Sequence, residues 1–82
     1  MNVDPAMIPR DGADAARMGI SASRNPHAPD SATYHTWHAD YHREMGRRSA
    51  NTNQAEQYRK IADRYRLMAE NAAIFEISEG NP

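Results

Sequence analysis

The chain contains no cysteine. That excludes a disulfide framework and any zinc site built on thiolates. Glycine is scarce, four in 82 residues, and none belongs to a phosphate-cradling loop or to a G-x-S-x-G elbow. No stretch approaches the ~18 consecutive apolar residues of a membrane span. The opening MNVDPAMIPRDG lacks an apolar core of signal-peptide length. Neither export nor a membrane span is expected, and a cytoplasmic location is. An excess of one charge is also missing: ten Lys and Arg oppose eleven Asp and Glu, for a net charge of −1. Proteins that live on phosphate contacts usually carry a clear basic surplus. No two carboxylates share an apolar setting, and so short a chain has little material for a deep pocket. Non-enzymatic function without a cofactor is the expectation.

What is present is organised around DSATYHTWHADYHREM, residues 30–45. It holds the only tryptophan, two of four tyrosines and three of four histidines. As a helix, it places Tyr34, Trp37, Tyr41 and Met45 at i, i+3, i+7 and i+11, the spacing of a buried face. His35, His38 and His42 form a second stripe rotated by roughly 90°. The first stripe is expected to make core, and the second to face water or a partner. Asp30 is the expected N-cap of a helix over 31–48, with Gly46 marking a fray or early end.

On the N-terminal side, residues 1–9 read as a flexible lead-in with two prolines. Met7 and Ile8 are available to staple the first helix. Asp11 then caps a short helix, GADAARM, that stops at Gly19. Gly12, Ala16 and Gly19 occupy nearly one face, with Ala15 beside it, and such small residues would let another helix approach closely. SASRNPHAPD is a loop, because proline lacks a donor and constrains the residue before it. After a polar SANTN loop, Asn53 with Glu56 resembles a capping box. The final helix is then expected over Asn53 to Ile77. Tyr58, Ile61, Ala62, Tyr65, Met68, Ala69 and Ala72 follow a 3,4 spacing. Glu56–Lys60, Arg59–Asp63 and Arg66–Glu70 are i,i+4 pairs worth about 0.2–0.5 kcal/mol each. Leu67 and Ile74 form a second apolar stripe, with Phe75 and Ile77 crowding the helix end, and on so small a protein this surplus marks a self-association or partner face. The fold class is therefore all-α: a short helix, an Asn-Pro loop, then two longer helices packed as an antiparallel pair. Residues 10–77 make one small helical domain, and 78–82 a flexible tail.

Two clusters could carry chemistry. His35–His38 and His38–His42 have the spacing of paired metal ligands on one helix face. His35 and His42 lie ~10 Å apart along the axis, so all three cannot share one ion easily. No metal is therefore expected, and a solvated or pH-sensitive polar face is the preferred reading. Arg43, Arg47 and Arg48 form a positive patch at a helix C-terminus, where cations are stabilising in any case. With Arg17 and Arg24 they could instead meet phosphate.

From Gly12 to Tyr41 the chain resembles the ribosome modulation factor family, whose relatives include short plasmid proteins described as ciprofloxacin-modifying. The resemblance rests on an alanine-bearing helix with Gly12 and Gly19, then Asn25–Pro26, then Trp37 with Tyr41. It implies two helices folded around the Asn-Pro connection, with Trp37 packed between them, and binding to ribosomal RNA. The chain departs from the family where Asp40 replaces a usual glycine, in its lack of basic charge, and in its added final helix.

Two functions follow as expectations. The first is a non-catalytic interaction protein that binds and blocks a larger protein or ribonucleoprotein complex. Phage-encoded inhibitors of host machinery, anti-CRISPR proteins among them, are similar in size and in lacking cysteine. Its partner-binding residues would be His35, His38, His42, Arg43, Arg47, Arg48, Leu67 and Ile74. The alternative is a ribosome- or RNA-associated factor contacting RNA through Arg17, Arg24, Arg43, Arg47 and Arg48. A homodimer through the final helix is compatible with both.

Overall fold

A computed structural model describes residues 8–79, with side chains placed from 8 to 74. The described residues form helices without strands: α1 (Gly12–Arg17), α2 (Ala32–Arg48) and α3 (Thr52–Glu79), with a 3-10 turn at Ala22–Arg24. The chain is all-α, as its periodicity implies. Helix α2 is the middle element, packed against α1 on one flank and α3 on the other.

Helix α1 begins where Asp11 accepts a hydrogen bond from the Ala13 amide at 2.8 Å. It ends in a Schellman closure. The Gly19 amide donates to the Ala16 carbonyl and the Ile20 amide to the Ala15 carbonyl. Gly19 adopts φ +74°, which suits a residue without a β-carbon. A six-residue helix is marginal in water, so docking must hold it. Gly12 supplies the fit. A β-carbon there would collide with the Trp37 carbonyl, so only glycine permits this approach of α1 to α2.

Trp37 fills the space between these elements. It is 1% exposed and packs with Ile8, Ala15 and Ile20. Its indole N–H donates to the Pro9 carbonyl at 3.0 Å. Tyr41 stacks on Trp37 and donates its hydroxyl to the Ile20 carbonyl. Ile8 and Pro9 therefore belong to the packed unit rather than to a free lead-in. Residues 1–7, and 80–82 of the expected tail, lie outside the described residues, as do the side chains of Phe75 and Ile77.

The Asn-Pro loop is tied to α2. The Asn25 side chain donates to the Tyr34 carbonyl at 2.9 Å and accepts from the His27 amide. This tie moves the helix start. Asp30 sits at φ 65° and is not the cap. Ser31 is, accepting from the Tyr34 amide at 3.1 Å while its hydroxyl donates to Ala28. Helix α3 also starts before its expected capping box. The Asn51 side chain accepts from the Gln54 amide, and its carbonyl accepts from the Ala55 amide. Thr52 rather than Asn53 opens the helix, which runs to Glu79, past the expected end at Ile77.

Residues 49–51 join α2 and α3 into an antiparallel hairpin. Gly46 is no fray. It lies inside α2 where the Tyr58 β-carbon and the Ala55 carbonyl of α3 come close, so a side chain would push the helices apart. Ala62 and Ala69 are buried along the seam, and both helices approach on small residues. Ile61 and Met68, expected in that stripe, remain 39% exposed at its edge.

Candidate functional site

The histidine stripe faces inward. His38 is 7% exposed, the His35 side chain is 11% exposed, and His42 is half-buried. All three stack on the ring of Tyr65 from α3, with centroids at 4.7 Å for His38, 5.4 Å for His42 and 6.3 Å for His35. The edges of Tyr34 and Trp37 close the other side of His38. This overturns the expectation of an outward, solvated stripe. An imidazole is flat and aromatic, so a tyrosine on the facing helix can cover it. Among the described residues no group of three or more His, Asp or Glu is placed to hold a metal ion.

The arginines divide. Glu44 is buried, 6% exposed, where α1 crosses α2. Its carboxylate accepts from Arg17 Nε at 3.1 Å and from Arg47 at 3.3 Å. Arg17 also bonds Asp14. The hydrogen bond that Arg17 donates to Glu44, and then the charge of that carboxylate, raise the Arg17 pKa above the ordinary value. Two of the five candidate RNA contacts are thus engaged within the chain. Glu44 escaped the sequence reading. Yet it lies seven residues after Trp37, on the same flank of α2, and that spacing was the available signal. Arg24, Arg43 and Arg48 are exposed. Arg48 borders a cleft of 530 Å³ with Arg17, Tyr41 and Tyr58. Arg43, Arg47 and Arg48 do not form one patch: Arg43 and Arg47, one helical turn apart, border the same cleft with Arg59, whereas Arg48 borders the one with Arg17.

Opposite the histidine seam, α2 and α3 leave an open groove of 440 Å³. Ala39, Ala62 and Ala69 line it, with Asp40 and Arg43 on the α2 side and Asp63, Arg66 and Glu70 on the α3 side. Burial, and then the charge of Asp11, push the Asp40 carboxyl above its ordinary range, while Arg43 partly offsets this. Arg66 pairs with Glu70 at 3.9 Å, one of the three i,i+4 pairs expected along α3. Asp63, Leu67, Glu70 and Ile74 recur at i, i+4, i+7 and i+11, so they share one flank of α3. Leu67 is 61% exposed and Ile74 65%. The second apolar stripe is therefore solvent-facing and runs beside the groove.

Among the described residues no helix is long and apolar enough to cross a membrane. In comparisons with protein-family models, curated proteins and solved structures, the chain matches none.

Proposed function

We propose that this chain is a small non-catalytic interaction protein that binds and blocks a larger protein in the cytoplasm, in the manner of phage-encoded inhibitors such as anti-CRISPR proteins. One observation carries the reading. Leu67 and Ile74 are 61% and 65% exposed on the flank of α3 that also bears Asp63 and Glu70. Water-facing aliphatic residues between acidic ones, beside a groove with Arg43 and Arg66, suit an apolar ridge with charges of both signs around it. The molecule is only 14 Å across its thinnest dimension, so few layers cover the hairpin from within.

Capture from the native host is the test. The tagged chain is expected to retrieve one protein in stoichiometric amount, and Leu67→Lys with Ile74→Lys is expected to abolish capture. Both sites are exposed, so the double variant should keep its stability within about 0.5 kcal/mol per site. Retrieval of ribosomal particles alone, or of nothing, defeats the reading. Sedimentation of the purified chain reveals whether the partner is instead a second copy.

The ribosome-associated alternative draws on the exposed Arg24, Arg43 and Arg48. It has less to work with than the sequence suggests, since Arg17 and Arg47 are held on Glu44. It predicts co-sedimentation with ribosomes at about 50 mM salt that fades steeply as salt rises.

A further inference from the structure

Tyr65 is the hub of the seam between α2 and α3. His38, His42 and His35 lie over its ring at interplanar angles of 19°, 17° and 27°. His42 tilts toward Tyr58, and His38 toward His42 at 5.9 Å. The Nδ1 atoms of His35 and His38 are buried without hydrogen-bond partners. His42 Nδ1–H donates to the His38 carbonyl at 2.7 Å.

Among the described residues, the rings packed on His38 offer no counter-charge. Helix α2 contributes Tyr34, His35 and His42, and α3 contributes Tyr58 and Tyr65. Asp30 is the nearby carboxylate. It reaches only His35, at 3.9 Å, and is 93% exposed, so it is worth little. The charges of α1, on Asp14 and Arg17, are directed to one another and to Glu44.

We propose that the α2–α3 hairpin is a pH-sensitive joint, closed while His38 is neutral in its stack and loosened when it takes up a proton. A proton on His38 would place a cation in a buried stack between two other imidazoles, with no carboxylate of the described residues paired to it. Neutral imidazoles stack on Tyr65 at no such cost, so the same contacts that close the seam at neutral pH oppose it in acid.

Burial of His38, and then the charges that His42 and His35 can carry, lower its pKa from the ordinary 6.5. The unfolded chain therefore binds the proton first. The stabilisation is complete above about 6.5 and is lost as pH falls through the lower, folded value. Asp40 works in the opposite sense. Its pKa is raised from 3.8, so the folded chain holds that proton more tightly and gains from acid. The joint depends on no partner, and its test is independent of the proposed function.

The test compares thermal unfolding of the purified chain at pH 7.5 and pH 5.5, above the range where most carboxylates titrate. The melting temperature is expected to fall by about 4 °C or more on acidification. His38, followed by NMR, should titrate below 6.5. His38→Phe conserves a flat aromatic in the stack and is expected to remove most of the pH dependence. His38→Gln, uncharged at every pH, serves the same purpose if the phenylalanine does not fit. An unchanged melting temperature, a His38 titration at or above 6.5, or a folded His38 variant that keeps the full pH dependence each overturns the proposal. If neither variant folds, the titration of the unmodified chain decides.

Discussion

Gly12 lies directly on the backbone of α2 at Trp37. A β-carbon at that position would overlap the Trp37 carbonyl oxygen and crowd the Tyr41 amide. Backbone, unlike the end of a flexible side chain, cannot turn aside. Gly12→Ala is therefore expected to destabilise the chain by about 1–3 kcal/mol, the usual cost of overpacking. Gly19→Ala tests a different cause, because nothing surrounds that site and only its φ of +74° opposes a side chain. It should cost about 1–2 kcal/mol. Chemical denaturation of both variants measures the difference. A Gly12→Ala variant as stable as the parent would show that α1 does not dock this closely.

Trp37 is the largest side chain that is fully buried, and its indole holds the Pro9 carbonyl. Trp37→Ala is expected to cost about 3–5 kcal/mol. A domain this small has few kcal/mol in reserve, so the variant should lose most of its helical circular dichroism at 37 °C. Retention of both the signal and the melting temperature would remove Trp37 from the core.

Glu44 and Arg17 predict an order of effects. The carboxylate is buried and bridges two arginines, whereas both guanidinium groups reach solvent. Removing Glu44 leaves Arg17 and Arg47 facing each other over a buried site. Removing Arg17 leaves Glu44 with Arg47. Glu44→Ala should therefore lower the melting temperature more than Arg17→Ala does, and the double variant should lose less than the sum. Equal effects, or full additivity, would show that the bridge contributes nothing.

Much of the architecture was legible because helices repeat. The 3.6-residue period marked α2 to within one residue at its start and found its end. Asp11 and Gly19 are local devices and act where the sequence put them. Caps proved less legible where two acceptors compete. Asp30 and Ser31 can both cap a helix, and the choice fell to Ser31 because the Asn25–Tyr34 bond fixes how the loop enters α2. The same holds for Asn51 against Asn53. The seam between α2 and α3 was read least well. Ile61 and Met68 have the more apolar side chains, yet Ala62 and Ala69 take the buried positions, with Tyr65 half-buried against the histidines.

By itself, the sequence determined the helical class, the aromatic stripe of α2 and the small-residue face of α1, whereas the contact at Gly46 emerged only in the structure. The first three follow from short-range spacing and from the space a glycine leaves. Only the tertiary structure decided which face of each helix meets which. Period tells which side chains lie together, not what will cover them. Tyr65 covers the histidines and turns a polar stripe into a seam. Glu44 holds Arg17 and Arg47 on one buried carboxylate, although both guanidinium groups still reach solvent. Leu67 and Ile74 stay uncovered, because α2 has no surface left to reach them.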